Sequence, residues 1–114
     1  MTAPGARVGA ILDSDLETVR LLGYGVFVGD EVPPQPMGMW AALFGATWEA
    51  FDEAARKEGY AITMRPTNPK ILLDSGKVVW GCECWWGDED RIRKSIGTKR
   101  VVDVDIDDAR KARP

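Results

Sequence analysis

"ILLDSGKVVWGCECWWG", residues 71–87, is the stretch that predicts most about the fold. Apolar residues on both sides of "DSGK" predict two antiparallel strands joined by a tight turn, with a glycine where the turn needs a positive φ. A two-residue loop at 75–76 is the favoured register, because it places Leu73 opposite Val78 and joins the apolar faces of the strands. A three-residue loop at 74–76 is the alternative and shifts the pairing by one residue.

Strict alternation divides the second strand, residues 78–87, between two faces of the sheet. The first face is apolar throughout and is expected to lie in the core; it carries Val78, Trp80, Cys82, Cys84 and Trp86. The second face carries Val79, Gly81, Glu83, Trp85 and Gly87.

The second face is the candidate binding surface. Gly81 leaves bare backbone on one side of Glu83, and Trp85 offers an indole on the other. A planar ligand could then stack on Trp85 and donate a hydrogen bond to Glu83. The structural alternative is a solvated carboxylate, an indole that covers an apolar edge and glycines that permit curvature. Catalysis by Glu83 lacks an acid or base partner.

The residue content excludes several chemistries. The chain has no histidine, which removes Ser-His-Asp and Cys-His catalysis and histidine metal sites. A disulfide between Cys82 and Cys84 would strain the strand, and the pair lacks the further ligands of a structural zinc. We therefore expect no catalytic residues, no metal, no cofactor and no enzymatic activity.

The composition is typical of a globular domain, with 114 residues of which 45% are hydrophobic and 29% charged. No apolar run approaches the ~20 residues of a membrane helix, and residues 1–7 lack the apolar region of a signal peptide. The expectation is a cytoplasmic protein without membrane contact. A net charge of −3 disfavours nucleic acid as a partner.

The clearest helix is predicted over residues 40–58, ending at Gly59. Its apolar stripe comprises Trp40, Leu43, Phe44, Thr47, Trp48, Phe51 and Ala55. Further strands are predicted at residues 8–12, 18–22, 26–28, 60–64 and 100–107, and a short helix between Asp88 and Gly97. Alternating aspartates in the last strand are interpreted as protection of a sheet edge rather than as a calcium site.

This element order predicts a single α+β domain over residues 1–107. The sheet is expected to be curved and mainly antiparallel, packed by the long amphipathic helix; a small barrel plugged by that helix is the alternative. Residues 108–114 form a charged tail that is expected to fray.

Two further features are candidate binding elements. Tyr24 lies in "GYG", whose glycines predict a bend, and a tyrosine at such a bend could line a ligand site. The second is a basic cluster that comprises Arg91, Arg93, Lys94, Lys99 and Arg100. It could bind phosphate or an acidic partner. The alternative is a solvated helix end.

"NPKILLDSGKVVWGCECWWG", residues 68–87, resembles small uncharacterised proteins of bacterial accessory genomes and phages. The resemblance covers the last half of the chain and implies no known function. Five tryptophans without catalytic machinery favour a non-enzymatic binding module for a small planar, nucleotide-like ligand or a peptide. The alternative is an interaction or assembly protein that uses the same aromatic face for a second copy or a host protein.

Overall fold

A computed structural model describes residues 2–59 and 65–112 of the chain. The described residues form an α+β fold with a six-stranded sheet that does not close into a barrel. The strands are β1 Arg7–Ser14, β2 Thr18–Glu31, β3 Asn68–Leu73, β4 Val78–Trp80, β5 Trp85–Asp88 and β6 Arg100–Asp103. The helices are α1 Met39–Phe44, α2 Trp48–Lys57, α3 Glu89–Ile96 and α4 Ile106–Ala112, with a 3₁₀ turn at Gly81–Glu83. None of these helices is long and apolar enough to cross a membrane.

The chain divides into two compact units. The sheet unit contains Met1–Gly29 and Pro69–Pro114, and the helical unit contains Asp30–Asn68. The single domain expected over residues 1–107 stays a prediction.

The sheet has the order β4-β3-β2-β1-β5, and β6 pairs in parallel with the first residues of β2. The β1–β2, β1–β5 and β3–β4 pairings are antiparallel, as the sequence predicts. The two strands predicted at 18–22 and 26–28 are one strand, β2, because Gly23 takes a φ of +141° and the bend is absorbed by shifts in register with β1. Gly25 permits close packing of β3, since a Cβ there would lie 2.1 Å from the Leu72 carbonyl oxygen.

Two apolar clusters cover opposite faces of this sheet. Leu21 and Leu22, neighbours on β2, belong to different clusters because successive side chains on a strand alternate. The α4 cluster contains Val8, Ala10, Leu22, Phe27, Ile71, Leu73, Val79, Ile106 and Ala109. The α3 cluster contains Ile11, Val19, Leu21, Ile92 and Ile96. Each face is therefore closed by a helix from the last quarter of the chain.

In the helical unit, the predicted long helix is two helices. Helix α1 ends at Phe44 and is followed by Gly45, whose φ is +110°. The Thr47 hydroxyl then accepts a hydrogen bond from the Ala50 N–H at 3.1 Å at the start of α2. Thr47 is thus an N-cap rather than part of the apolar stripe, which is why the helix breaks there. The other aromatic positions do cluster: Trp40, Phe44 and Trp48 each have ring centroids 5.1–5.9 Å from Phe51.

The hairpin adopts the three-residue loop, and the favoured two-residue register was wrong. Ile71 pairs with Val79, and the Leu73 N–H donates to the Lys77 carbonyl at 2.9 Å. Contacts with distant residues hold Asp74 in the loop: its N–H donates to the Tyr24 carbonyl, and Arg7 donates two hydrogen bonds of 2.7 Å to its carboxylate. Val79, rather than Val78, therefore enters the core.

The C-terminal prediction also needs correction. The final strand ends at Asp103 instead of residue 107, and residues 106–112 form helix α4 rather than a frayed tail. The Asp105 carboxylate accepts the Asp107 N–H at 2.8 Å, which starts the helix, and Ile106 and Ala109 are buried in the α4 cluster. The strand predicted at residues 60–64 lies outside the described residues.

Candidate functional site

The strand predicted over residues 78–87 is interrupted by the 3₁₀ turn Gly81–Glu83. Gly81 packs against the ring of Pro69, where a Cβ would approach ring carbons to 2.9–3.0 Å. The Glu83 carboxylate accepts the Trp80 N–H at 3.1 Å and closes the turn. Alternation along one continuous strand therefore fails here.

The turn rearranges the two predicted faces. Cys82, expected in the core, is exposed, and Cys84 is half-buried against the α4 cluster. Trp86 packs against the same cluster and stacks on Phe27, with ring centroids 5.1 Å apart. Trp85 points the other way and is 77% exposed.

Glu83 is a structural carboxylate. Only 4% of the residue is exposed, and Arg110 of α4 donates hydrogen bonds of 2.7 Å to both of its oxygens. Arg110 also donates to the Val78 carbonyl at 2.9 Å. The hydrogen bonds that Arg110 donates to the Glu83 carboxylate raise the pKa of Arg110. Glu83 is thus turned toward α4 and away from Trp85, contrary to the predicted shared surface.

Trp85 instead borders a groove on the α3 side of the sheet. It lies opposite Ile11 in the β1–β5 register, and cross-strand neighbours project from the same face. The groove has a volume of about 690 Å³. Its lining comprises Ile11, Asp13, Ser14, Trp85, Trp86, Gly87, Arg91, Ile92 and Ser95, and we refer to it as the Trp85 groove. Gly81, Glu83 and Tyr24 are not part of this lining.

Gly87 leaves space in the Trp85 groove. It lies two residues after Trp85 and therefore on the same face of β5. A Cβ at this position would lie 3.9 Å from Arg91 Cδ and from Ile92 Cδ1. The missing side chain opens the region between the indole and helix α3.

The charged groups of the groove differ in their partners. Asp13 receives a 2.6 Å hydrogen bond from Arg20 Nε and a second from the same guanidinium, and these lower the pKa of Asp13. Its charge is therefore compensated. Arg91 makes no ion pair within residues 2–59 and 65–112. The uncompensated charge of the groove is positive.

Tyr24 has a packing role in the sheet unit. Its ring covers Gly9, where a Cβ would approach two ring carbons to 2.9 Å, and it contacts the α3 cluster. The Arg93 guanidinium lies 4.1 Å from the ring centroid, at cation–π distance. Tyr24 is therefore not part of the Trp85 groove, and its predicted role in ligand binding stays a prediction.

The predicted basic cluster has several separate partners. Arg93 stacks on Tyr24, and Lys99 Nζ donates to the Asp15 carbonyl at 2.8 Å. At Arg100 it is the backbone N–H, not the side chain, that donates to the Glu17 carbonyl. Lys94 lies exposed in the last turn of α3. Only Arg91 of this cluster lines the Trp85 groove.

Most of the groove lining has no signal in the sequence, because the groove combines β1, β5 and α3. One local signal was present: Arg91 and Ser95 are four residues apart, so they share one side of α3. Within the described ranges, no group of three or more acidic or cysteine side chains is placed to hold a metal ion. Comparisons with protein-family models, curated proteins and solved structures gave no match.

Proposed function

We propose that this protein is a small non-enzymatic binding module whose Trp85 groove holds a planar ligand. The observation that carries the proposal is the 77% exposed indole of Trp85 beside a position without a side chain, Gly87. Aromatic rings that pack on an indole gain about 0.5–1.5 kcal/mol beyond the effect of buried area. A large side chain left in water next to an open groove is typical of a binding site.

The proposal moves the binding surface from its predicted place. Gly81 and Glu83 are occupied by contacts with Pro69 and Arg110, whereas Trp85 is combined with Ile11 and helix α3. The ligand would therefore meet an indole, an aliphatic floor and the side chains of one helix face. The non-enzymatic part of the proposal rests on the absence of histidine and on the carboxylate of Asp13, which Arg20 already engages.

Thermal unfolding with a panel of planar metabolites and short peptides tests the proposal, because a ligand that binds the native state raises the melting temperature. We expect at least one planar compound to stabilise the wild type and to lose this effect in Trp85→Ala. The matched control is Leu16→Ala, since Leu16 is 93% exposed in the β1–β2 loop and outside the groove lining. Equal stabilisation of Trp85→Ala, or no stabilisation by millimolar ligand, would contradict the proposal.

Assembly through the same region is the second candidate function. β5 stands at one end of the strand order, with β1 as its neighbour in the described sheet, and it carries the exposed Trp85. An edge strand can pair with a strand of another chain. Light scattering across a wide concentration range tests this candidate: it requires a dimer that Trp85→Lys dissociates, and a wild type that stays monomeric rules out self-association.

A further inference from the structure

We infer that the ligand of the Trp85 groove is a planar anion, with its ring on Trp85 and its carboxylate or phosphate on Arg91. This inference rests on the proposed function and adds the charge of the ligand to it. Its basis is the juxtaposition of an exposed indole and an uncompensated guanidinium on the walls of one groove.

The electrostatics of the groove favour an anion over a cation. Asp13, the acidic residue of the lining, accepts two hydrogen bonds from Arg20, which lies outside the lining. Of the acidic residues around the start of α3, Glu89 is paired with Arg7 and Arg93. Asp88 and the exposed Asp90 lie outside the groove lining. Arg91 therefore keeps a charge that a ligand can neutralise, whereas a cationic ligand would be repelled.

The donors of the groove match the geometry of an acidic group. A guanidinium presents parallel N–H groups that bind carboxylate or phosphate oxygens in pairs. Ser95 follows Arg91 by one helical turn, and the hydroxyl of Ser14 also lines the groove. These neutral donors can satisfy the remaining oxygens of the same group.

The spacing predicts a compact ligand. Gly87 adjoins the Arg91 side chain, where a Cβ would lie 3.9 Å from Arg91 Cδ. Trp85 precedes Gly87 by two residues, which is about 6.6 Å along a strand. One small molecule whose ring and acidic group are joined directly or by a short link can therefore contact both residues. Aromatic carboxylates and nucleoside monophosphates both have this chemistry.

Binding measurements with matched acid and neutral ligands test the inference. The probes are 2-naphthoate with 2-naphthamide and adenosine monophosphate with adenosine, each titrated at low salt by calorimetry and tryptophan fluorescence. We expect the acid of at least one pair to bind about tenfold or more tightly than its neutral partner, because charge-assisted hydrogen bonds are the stronger kind. Preference for naphthoate identifies a carboxylate ligand, and preference for the nucleotide identifies a phosphate ligand.

Two substitutions on helix α3 test whether Arg91 causes the preference for the acidic ligand. Arg91→Gln should remove the preference for the acid and leave the affinity of the neutral ligand unchanged. Lys94→Gln makes the same change in charge at a position outside the groove and should leave the preference intact. Both side chains are exposed, so both variants should keep the melting temperature of the wild type.

Gly87→Ala is a second test that does not alter charge. The added methyl group fits at van der Waals distance from Arg91 and Ile92 and narrows the groove. It should therefore weaken the binding of the acidic and the neutral ligands alike. Equal affinity of wild type for acid and neutral partners overturns the anion inference and leaves the planar-ligand function standing. Absence of binding by all four probes counts against both the inference and the proposed function.

Discussion

The 3₁₀ turn Gly81–Glu83 and strand β5 are neighbours in a single tryptophan-rich stretch, yet they face opposite ways. In the turn, Glu83 is buried and held by Arg110, 27 residues later in the chain. In β5, Trp85 is exposed and borders a groove formed with α3. The difference shows that residue type alone does not mark a site: the buried carboxylate with a cationic partner holds the fold together, whereas the exposed indole leaves a surface on which we propose that a ligand binds.

The largest effect expected in this comparison is at Trp80, which immediately precedes the turn. Trp80 is 6% exposed, so Trp80→Ala leaves a cavity and should lower the free energy of unfolding by roughly 3–5 kcal/mol. Chemical denaturation measures this loss. A loss no larger than that of Trp85→Ala would show that the two regions are not buried to different extents.

The next effect is at the ion pair that holds the turn. Arg110→Met leaves the buried Glu83 without its cation and should cost about 2–3 kcal/mol, less than a fully buried pair because Arg110 is partly exposed. Glu83→Gln combined with Arg110→Met should recover part of this loss, since no buried charge remains. The exposed pair provides the control: Arg20→Met at Asp13 should have a much smaller effect. Equal losses at the two pairs would refute the structural role of Glu83.

A smaller change in stability is expected at Trp85. Trp85→Ala removes an exposed side chain and should change the free energy of unfolding by about 1 kcal/mol or less. The same variant should lose ligand binding, because the stacking surface is removed. Denaturation and ligand titration on one sample measure both. A severe loss of stability would mean that the indole packs into the fold instead of forming the groove surface.

The smallest effect on stability is expected at mildly acidic pH, where the exposed ion pairs Arg20–Asp13 and Arg7–Asp74 weaken. Hydrogen bonds from Arg20 and Arg7 lower the pKa values of Asp13 and Asp74 below 3.8. Their contribution to stability is therefore complete above the unfolded-state pKa and is lost as the pH falls through the lower folded-state values. The free energy of unfolding should decrease from about pH 5 downward. Asp74→Asn should make this decrease shallower, and an unchanged pH profile would contradict the assignment.

The sequence predicted some of the local elements correctly. Alternation of apolar and polar residues predicted β1 at residues 8–12, within the observed Arg7–Ser14. Capping and terminating residues predicted α3, which is followed by Gly97 with a φ of +55°. The hairpin was confirmed, whereas its register was wrong because Arg7 and Tyr24 hold Asp74 in the loop. The break between α1 and α2 at Gly45 was not predicted. The helical spacing of apolar residues continues across Thr47, although Thr47 caps α2.

The sequence by itself determined the α+β class and the hairpin, because periodicity, capping and turn residues act between near neighbours in the chain. Only the tertiary structure decided that Glu83 is a structural group and that Trp85 shares a groove with Arg91. The physical reason is that the energy of a polar group depends on its partners. Here those partners come from α3 and α4, elements whose positions no local pattern specifies.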